Sequence, residues 1–255
     1  MKLYPLRKRI REDFLVGTFI TVYAPDLVES MGSIGFDFVC LESEHSAFGM
    51  AQLENLIRAA NLADLPAIVR VAELGPEIAR TLDMGAAGVI VPRIETVEEA
   101  REVVRRSRYT PEGERGSGPG RATGYGARMQ SYLESANDNL LVIIQIETAR
   151  GLQAVEEIVA VPGIDGVCVG PFDLALSTGH PPGSRELIEA ISQINTTAKR
   201  QGLATVTVAP APEVVARARE GGDNMVIYGA DRMFFTQGAQ QMLAAAGLPA
   251  DKTGA

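Results

Sequence analysis

The chain has 255 residues, of which 46% are hydrophobic and 22% are charged, a composition typical of a globular protein. The formal net charge is −8 and no segment concentrates Lys and Arg, so nucleic acids and anionic membranes are poor candidate partners. No apolar run reaches membrane-spanning length and the first residues do not resemble a signal peptide, which favours a cytoplasmic protein.

Eight apolar runs recur along the chain at the spacing of parallel strands joined by helices. They cover residues 15–23, 37–43, 66–71, 88–94, 140–147, 166–171, 204–209 and 224–229. Residues between several of these runs show helical spacing, as Leu53, Leu56, Ile57 and Ala60 do. The alternation predicts an α/β fold, a closed (β/α)8 TIM barrel forming a single domain over residues 1–255, rather than an open doubly wound sheet.

The second predicted strand leads directly into Glu42, Glu44 and His45. Barrel enzymes place their chemistry at the carboxyl ends of the strands, so His45 is a candidate general acid or base. A structural hydrogen bond is the alternative role for a loop histidine. Glu42, Glu44 or the more distant Asp83 is a candidate to orient the imidazole.

Arg70 ends the third predicted strand, and Arg93 ends the fourth as a weaker candidate. A charged side chain at the end of an apolar strand is costly unless it is paired or used. At the mouth of a barrel, a guanidinium can bind a carboxylate or stabilise a developing enolate oxygen. A salt bridge to a nearby carboxylate is the alternative, and the two roles are compatible.

A long glycine-rich connection covers residues 109–132 and interrupts the rhythm of strands and helices. It lacks the flanking strand and helix that a dinucleotide-binding loop requires, so a phosphate cradle is disfavoured. Long irregular connections in compact barrels are usually functional. We therefore predict that this connection forms a mobile loop over the active-site mouth. Separately, residues 249–255 at the C-terminus are predicted to be a frayed tail.

Two acids follow the fifth and sixth predicted strands: Glu147 in the run QIET and Asp173 in the run GPFDL. The ends of adjacent parallel strands converge, and two carboxylates meeting there are suited to a hard divalent cation. Gln145 lies on the same strand face as Glu147 and can bind substrate or water, or serve as a polar plug of the barrel. His180 follows in a turn-rich loop and is predicted to be a bystander.

The positions of the lysines and cysteines limit the reaction mechanisms that this chain could use. The four lysines, Lys2, Lys8, Lys199 and Lys252, lie away from the predicted strand ends, which argues against a Schiff-base nucleophile. Carbon–carbon chemistry next to a carbonyl would then need a metal as the Lewis acid. The two cysteines, at positions 40 and 168, lie inside predicted strands and are expected to be reduced core thiols.

Residues 14–245 resemble the metal-dependent pyruvate aldolases of the HpcH/HpaI aldolase/citrate lyase family, such as 4-hydroxy-2-oxoheptanedioate aldolase and 2-dehydro-3-deoxyglucarate aldolase. The matching segments are GFDFVCLESEH, PAIVRV, LDMGAAGVIVPRIETVEEAREVV, RGSGPGRA, QIET and GIDGVCVGPFDLALSTG. QIET followed by GPxDL at this separation is the most specific part. The resemblance implies a barrel of the phosphoenolpyruvate/pyruvate-domain type whose last helix packs on a neighbouring subunit, usually in a homohexamer.

The resemblance also implies roles for individual residues. Glu147 and Asp173 match the ligands of a divalent ion (Mg²⁺, Mn²⁺ or Co²⁺) that pyruvate chelates. Arg70 matches the arginine on the keto or enolate oxygen, His45 matches the general acid/base, and Gln145 matches a glutamine near that base.

Further matches concern the substrate carboxylate and the subunit interface. The amides around Gly170, Phe172 and Asp173 match those that receive the pyruvate carboxylate. Asp83 matches an acid that approaches the site across a subunit interface. Two departures are present, because the family commonly has Asp where this chain has Glu42, and a small residue where it has Phe172.

The implied activity is reversible aldol cleavage of a 4-hydroxy-2-oxo acid to pyruvate and an aldehyde, through a metal-stabilised pyruvate enolate. An oxaloacetate decarboxylase, or related enolate chemistry, would use the same motifs. A CoA-ester lyase is a more distant alternative. A non-catalytic metabolite-binding barrel is the alternative from a different class, and the complete set of His45, Arg70, Glu147 and Asp173 argues against it.

Overall fold

A computed structural model describes residues 3–248; the tail predicted to fray, 249–255, lies outside the described residues. Eight parallel strands close into a barrel in the order β1 to β8. The strands are β1 Leu15–Ile20, β2 Phe38–Glu42, β3 Ala67–Arg70, β4 Gly88–Val91, β5 Leu141–Ile146, β6 Gly166–Val169, β7 Ala204–Ala209 and β8 Met225–Ala230. The predicted (β/α)8 barrel is therefore confirmed, with one strand in each predicted run; only β8 extends beyond its run, by one residue.

Helices precede β1 and follow every strand in the described part of the chain. They are α1 Leu6–Glu12, α2 Pro25–Ile34, α3 Met50–Leu62, α4 Glu77–Asp83, α5 Val97–Ser107, α6 Met129–Asn139, α7 Ala149–Gln153, α8 Val155–Ile158, α9 Pro171–Thr178, α10 Arg185–Arg200, α11 Pro212–Glu220 and α12 Asp231–Ala245. Among the residues described, no helix is long and apolar enough to cross a membrane.

The strands build two apolar layers because their side chains alternate between the inside and the outside of the barrel. On β2, Phe38 and Cys40 pack in the interior, whereas Val39 and Leu41 pack in the layer beneath the helices. Cys40 and Cys168 are both buried and unpaired, as the sequence predicts. The same alternation turns the last residue of β2, Glu42, towards the barrel axis.

The short helix α1 closes the barrel at the amino ends of the strands, an end called the floor below. Leu6 and Ile10 are fully buried and pack against the interior side chains of the strands. The floor also holds a buried ion pair between Arg108 Nη2 and Asp165 Oδ2, at 2.5 Å. Arg7 Nε donates to the other oxygen of Asp165 at 2.6 Å.

The glycine-rich segment 109–132 lies at the floor of its own barrel and does not cover the mouth of that barrel, so its role as an active-site loop stays a prediction. Helices of the barrel run antiparallel to the strands, and a connection from α5 to β5 therefore begins and ends at the floor. Within it, the Ala122 amide donates to the carbonyl of Asp83 at 2.9 Å. The Thr123 hydroxyl donates to the Gly120 carbonyl at 2.9 Å, so this part of the segment has a defined hydrogen-bonded conformation.

The last helix, α12, contacts its own barrel mainly through its first turn, where Asp231 is buried. Further along, Phe235 is 78% exposed and Met242 is 77% exposed. Large apolar side chains on one unpartnered helix are typical of an interaction surface. The packing of α12 on a neighbouring subunit stays a prediction.

Candidate active site

The carboxyl ends of the strands form the mouth of the barrel, which contains a cavity of about 300 Å³. Alternation directs one inward-facing residue near the end of each of β1, β3, β5 and β7 into this space. The lining residues are Phe19, His45, Arg70, Gln145, Gly170, Pro171, Phe172, Asp173 and Val208. The cavity thus brings together most of the residues that the sequence predicts to share a site.

Arg70 and Glu42, on neighbouring strands, form a tight ion pair at the mouth. Arg70 Nε donates to Glu42 Oε2 at 2.7 Å, and Nη2 lies 2.5 Å from the same oxygen. The guanidinium also lies 5.1 Å from the centroid of the Phe19 ring. Burial lowers the pKa of Arg70, but the charge and hydrogen bond of Glu42 outweigh burial and the pKa is raised. Arg70 is therefore a fixed cation in the cavity wall.

His45 lies in the loop after β2, and its side chain is 62% exposed. Its Nε2 atom is 3.8 Å from Glu44 Oε2, so Glu44 is the acid beside the imidazole. Glu42 instead accepts hydrogen bonds from the backbone amides of Glu44 at 2.8 Å and His45 at 3.0 Å. Of the three acids that the sequence offered for orienting the imidazole, Glu44 is therefore the one beside it, while the carboxylate of Glu42 is engaged by Arg70 and by this loop.

Glu44 is a partly buried acid beside the side chains of Arg70 and His45. Burial raises the pKa of its carboxyl, and the nearby Arg70 partly offsets that rise. Its Oε2 atom is buried and makes no hydrogen bond within the described structure. The atom is left facing Arg70 Nε at 3.3 Å and the His45 imidazole. A carboxylate with spare acceptor capacity there can stabilise a protonated imidazole.

Glu147 follows β5 and is almost fully buried, with 1% of its surface exposed. Gln145 Nε2 donates a very short hydrogen bond to Glu147 Oε2, and the Arg93 amide donates to Oε1 at 2.9 Å. Arg93 adopts a positive φ of 55°, unusual for a residue other than glycine, and such strain clusters at functional sites. Burial raises the pKa of Glu147, and the charge of Asp173 adds to that rise.

Asp173 lies in the first turn of α9, immediately after Gly170 and Pro171 at the end of β6. The first N–H groups of a helix have no intrahelical partner, so α9 presents the amides of Phe172 and Asp173 at the cavity. Gly170 has to be small, because a Cβ there would lie 2.3 Å from Glu147 Oε2. The close approach of β6 to Glu147 therefore depends on that glycine.

The donor set at the mouth fits a hard divalent cation. Glu147 and Asp173 are close enough for the charge of one to raise the pKa of the other. Across residues 3–248, no group of three or more His, Cys, Asp and Glu side chains is arranged to hold a metal ion. A cation such as Mg²⁺ is commonly bound by one or two carboxylates, with water and substrate oxygens completing its shell. Two carboxylates beside an open cavity provide that arrangement.

Glu42, Glu44 and Glu147 lie beside the cavity without lining it, whereas Asp83 and His180 belong to other parts of the surface. Asp83 ends α4 at the floor, where its Oδ1 atom accepts a hydrogen bond from Arg115 Nη2 at 2.6 Å. His180 lines a separate, apolar groove of about 380 Å³ with Phe172 and Leu176. That groove is larger than the mouth cavity, but it lacks carboxylate and arginine side chains, so the mouth is the better candidate for the active site.

Besides Pro171 in the turn after β6, the structure adds two lining residues that the sequence analysis did not predict, Phe19 on β1 and Val208 on β7. Both are apolar residues within apolar strands. The only sequence feature that could have identified them is their position near a strand end, at a place in the alternation that faces the inside of the barrel. The Arg93 amide is a third addition, because Arg93 was considered only for its side chain. A contact made by a backbone amide cannot be predicted from the type of residue at that position.

A family model described as HpcH/HpaI aldolase/citrate lyase matches residues 15–238. The chain is 33% identical over 250 residues to the 2-keto-3-deoxy-L-rhamnonate aldolase of Escherichia coli K12, covering 94% of this chain and 92% of that protein. It is 35% identical over 250 residues to the hydroxypyruvate/pyruvate aldolase of Paraburkholderia phytofirmans, covering 94% and 96%. A crystal structure of an HpcH/HpaI aldolase/citrate lyase family protein from Burkholderia cenocepacia J2315 matches with a TM-score of 0.89 and 32% identity, covering 95% and 98%.

Proposed function

The chain belongs to the HpcH/HpaI aldolase/citrate lyase family, and from that membership we propose that it catalyses reversible aldol cleavage of a 4-hydroxy-2-oxo acid to pyruvate and an aldehyde. The enzyme is a carbon–carbon lyase that acts on small molecules. One observation carries the proposal: Arg70, His45 and Asp173 line a single cavity, and Glu147 lies beside it. Acidic, cationic and proton-transfer groups converge there, as this reaction requires.

We assign Glu147 and Asp173 as the residues that would hold a divalent cation, Mg²⁺, Mn²⁺ or Co²⁺. When bound, the cation would act as a Lewis acid towards the 2-oxo group of the substrate. The raised pKa of Glu147, caused by burial and to a smaller extent by the charge of Asp173, supports the assignment, because a bound cation would stabilise the charged form of a carboxyl in that setting. Gln145 and the Arg93 amide fix the orientation of the Glu147 carboxylate.

The pyruvyl part of the substrate is placed between α9 and Arg70. Its carboxylate would accept hydrogen bonds from the amides of Phe172 and Asp173, where the helix dipole favours negative charge. Gly170 leaves room for that approach. Arg70 would donate to the 2-oxo oxygen, on which negative charge develops as the enolate forms. Because Glu42 holds the guanidinium with two contacts, Arg70 needs no rearrangement during the reaction.

His45 is assigned the proton transfer. In the cleavage direction it takes the proton of the 4-hydroxyl through a water molecule, and the aldehyde carbonyl forms as the C3–C4 bond breaks. The electron pair of that bond becomes the C2–C3 double bond of the enolate. A proton delivered to C3 then gives pyruvate. Glu44, 3.8 Å from His45 Nε2, would stabilise the imidazolium that exists between these steps.

We further propose that the enzyme is a homo-oligomer, with a hexamer as the expected assembly, and that it is cytoplasmic. The exposed apolar side chains of α12, including Phe235 and Met242, support an intersubunit contact. Asp83 lies at the floor with 41% of its side chain exposed, so it is available to a neighbouring molecule and not to its own cavity. The reduced, buried thiols of Cys40 and Cys168 support the cytoplasmic location.

The proposal is tested by hydrogen–deuterium exchange of the pyruvate methyl group, followed by proton NMR in D₂O. We expect exchange that requires Mg²⁺, stops with chelator and is strongly slowed in the His45→Ala variant. The His180→Ala variant is the matched control, since His180 lies outside the cavity, and it should exchange at the wild-type rate. Absence of exchange from folded wild-type protein saturated with Mg²⁺ would reject pyruvate enolisation.

The metal assignment is tested by calorimetric titration of the metal-free protein with Mn²⁺. Glu147→Gln and Asp173→Asn should each weaken binding by at least tenfold, because each removes a charged oxygen ligand. Glu157→Gln, an exposed acid on α8, is the control and should bind normally. If all three variants bind Mn²⁺ equally, Glu147 and Asp173 are not the ligands.

A further inference from the structure

We propose that Asp231, the first residue of α12, is a positioning residue for the reaction: it fixes the end of β1, and through Phe19 it keeps the Arg70 guanidinium in place. The inference rests on the proposed function, because Arg70 is the residue assigned there to the enolate oxygen. It adds a residue outside the cavity, since Asp231 is not among the described residues that line it.

The carboxylate of Asp231 is buried, with 3% of the residue exposed, and it accepts four hydrogen bonds. Its Oδ2 atom accepts from the amides of Thr21 and Val22, at 2.9 Å each. Its Oδ1 atom accepts from the Thr21 hydroxyl at 2.6 Å and from the Arg232 amide at 2.8 Å. Asp231 therefore joins the start of α12 to the first two residues after β1.

A bulge in β8 brings Asp231 to this position. The register between β1 and β8 shifts between Gly17 and Phe19, because β8 contains one more residue than β1 over this stretch. Gly229 lies within the bulge and has a φ of 62°, in the left-handed region that favours glycine. A shift of one residue reverses the face towards which the following side chain points. Asp231 consequently faces the loop after β1 instead of the cavity.

The end of β1 is linked to Arg70 by Phe19, which lies two residues before Thr21 and lines the cavity. The guanidinium carbon of Arg70 lies 5.1 Å from the centroid of the Phe19 ring, within the range of a cation–π contact. Glu42 binds one edge of the guanidinium through Nε and Nη2, whereas the ring contacts its face. Movement of the end of β1 would therefore displace the ring from the guanidinium.

A carboxylate is needed at position 231 because three of its four donors are backbone N–H groups, which cannot also accept. Asp231→Asn keeps the size of the side chain but replaces one oxygen with an NH₂ group. In either orientation this group would face at least one of the three backbone N–H groups, which would lose its acceptor. The variant should therefore release the end of β1 without leaving a cavity.

The test measures pyruvate methyl exchange by Mg²⁺-loaded wild type and Asp231→Asn at several pyruvate concentrations. We expect the turnover number for exchange to fall by at least about tenfold, since a displacement of about 1 Å can cost about a hundredfold. The KM for pyruvate should stay within about twofold, because the contact of Arg70 with the enolate oxygen strengthens in the transition state. Wild-type turnover in folded Asp231→Asn would overturn the proposal.

Asp223→Asn is the matched control. Asp223 also accepts hydrogen bonds from threonine hydroxyls, those of Thr205 and Thr207 at 2.7 Å each, but it precedes β8 at the floor. This variant should be less stable to urea and should exchange at the wild-type rate. Equal losses of turnover in Asp223→Asn and Asp231→Asn would mean that Asp231 acts only through stability, which would also overturn the proposal.

A double-mutant cycle tests whether Asp231 acts through the ring. Phe19→Leu should by itself lower turnover, and adding Asp231→Asn to it should lower turnover no further, because both changes remove the same contact. Losses that multiply would show that Asp231 acts by another route. If Asp231→Asn fails to fold, Thr21→Val, which removes only the hydroxyl donor, replaces it in the cycle with an expected loss of about threefold. Wild-type turnover in Thr21→Val would then reject the inference.

Failure of this inference differs from failure of the proposed function. Wild-type protein that exchanges the methyl protons of pyruvate, with Asp231→Asn exchanging equally fast, enolises pyruvate without help from Asp231. Wild-type protein that does not exchange fails at the proposed function itself.

Discussion

At the floor of the barrel, Asp165 is held by Arg108 and Arg7, and at the mouth Glu42 is held by Arg70. Both sites pair a buried carboxylate with a guanidinium, yet their surroundings differ. The Arg108 side chain is fully buried and donates to the carbonyls of residues 137, 140 and 163 as well as to Asp165. Arg70 is 14% exposed and borders an open cavity.

The difference extends to the acids around each pair. At the mouth, burial raises the pKa of both Glu44 and Glu147, and Glu44 Oε2 has no hydrogen-bond partner among the described residues. The Asp165 carboxylate at the floor accepts three hydrogen bonds, one of them from the Val142 amide. Charged groups that satisfy one another stabilise the fold, whereas groups left in need of a partner can bind and react with a ligand. We therefore expect substitutions at the two ends to affect different measurements.

The largest effect is expected at the mouth, from Arg70→Ala. Loss of one preorganised donor to a developing oxyanion lowers turnover by about a hundredfold to a thousandfold. The variant should remain folded by circular dichroism, and steady-state aldol cleavage measures the loss. Arg70→Lys keeps the charge but loses the two-contact geometry with Glu42, so it should recover only part of the activity. Near-normal turnover in folded Arg70→Ala would remove this residue from the mechanism.

At the floor, Arg108→Met should lower the free energy of unfolding by about 3 kcal/mol, because it leaves Asp165 buried with Arg7 as its remaining cationic partner. Urea denaturation measures the change. The matched control is Arg185→Met, which removes an exposed ion pair to Glu189 and should cost less than about 1 kcal/mol. Equal losses in the two variants would mean that the floor pair contributes no more than a surface pair.

Gly170→Ala should lower the affinity for metal at the mouth while leaving the protein folded. The added Cβ would lie 2.3 Å from Glu147 Oε2, while φ at Gly170 is −91°, a value open to any residue. The carboxylate must move, so we expect Mn²⁺ affinity to fall by about tenfold, equivalent to about 1.4 kcal/mol. Gly118→Ala, where a Cβ meets no atom within 4 Å, is the control. Unchanged affinity in Gly170→Ala would show that Glu147 tolerates displacement.

The smallest effect is expected from Tyr109→Phe at the floor, seen only at alkaline pH. Burial raises the pKa of Tyr109 from 10.0 to about 12, so the folded state keeps a proton that the unfolded state loses between these values. Stability contributed by the neutral phenol is therefore present below pH 10 and is lost as pH rises towards 12.

The phenylalanine variant should consequently show a shallower decline of the unfolding free energy above pH 10, measured by urea denaturation at several pH values. Tyr125→Phe replaces a tyrosine that is 72% exposed and should follow the wild type. A Tyr109→Phe profile that parallels the wild type would indicate that the phenol titrates alike in both states.

Local pattern was enough to predict the strands and most of the mouth. Each of the eight apolar runs coincides with one strand to within a few residues, and alternation then requires Arg70, Gln145 and Glu147 to face inward. Where the prediction overran, a distant residue was the cause. The first run was expected to reach residue 23, but Asp231 accepts hydrogen bonds from the amides of Thr21 and Val22 at 2.9 Å each and ends β1 at Ile20.

The end of the barrel at which segment 109–132 lies also depends on distant parts of the chain. Its glycine content predicted an irregular connection, but only the direction of α5 and β5 decides at which end of the barrel it lies. The role of Glu42 likewise depended on its neighbour across the sheet, since Glu42 and Arg70 are paired in register between β2 and β3.

The sequence by itself therefore determined three things: the barrel fold, the end of the barrel where charged residues collect, and the pair of acids suited to a metal. All three follow from the periodicity of the strands and from the residues at the strand ends, which are local properties. Closure of the barrel decided the partners: Glu42 on Arg70, the Arg93 amide on Glu147, and the apolar wall of Phe19 and Val208. Those contacts join residues far apart in sequence. Their geometry depends on register and side-chain direction around the ring of strands, which no single segment contains.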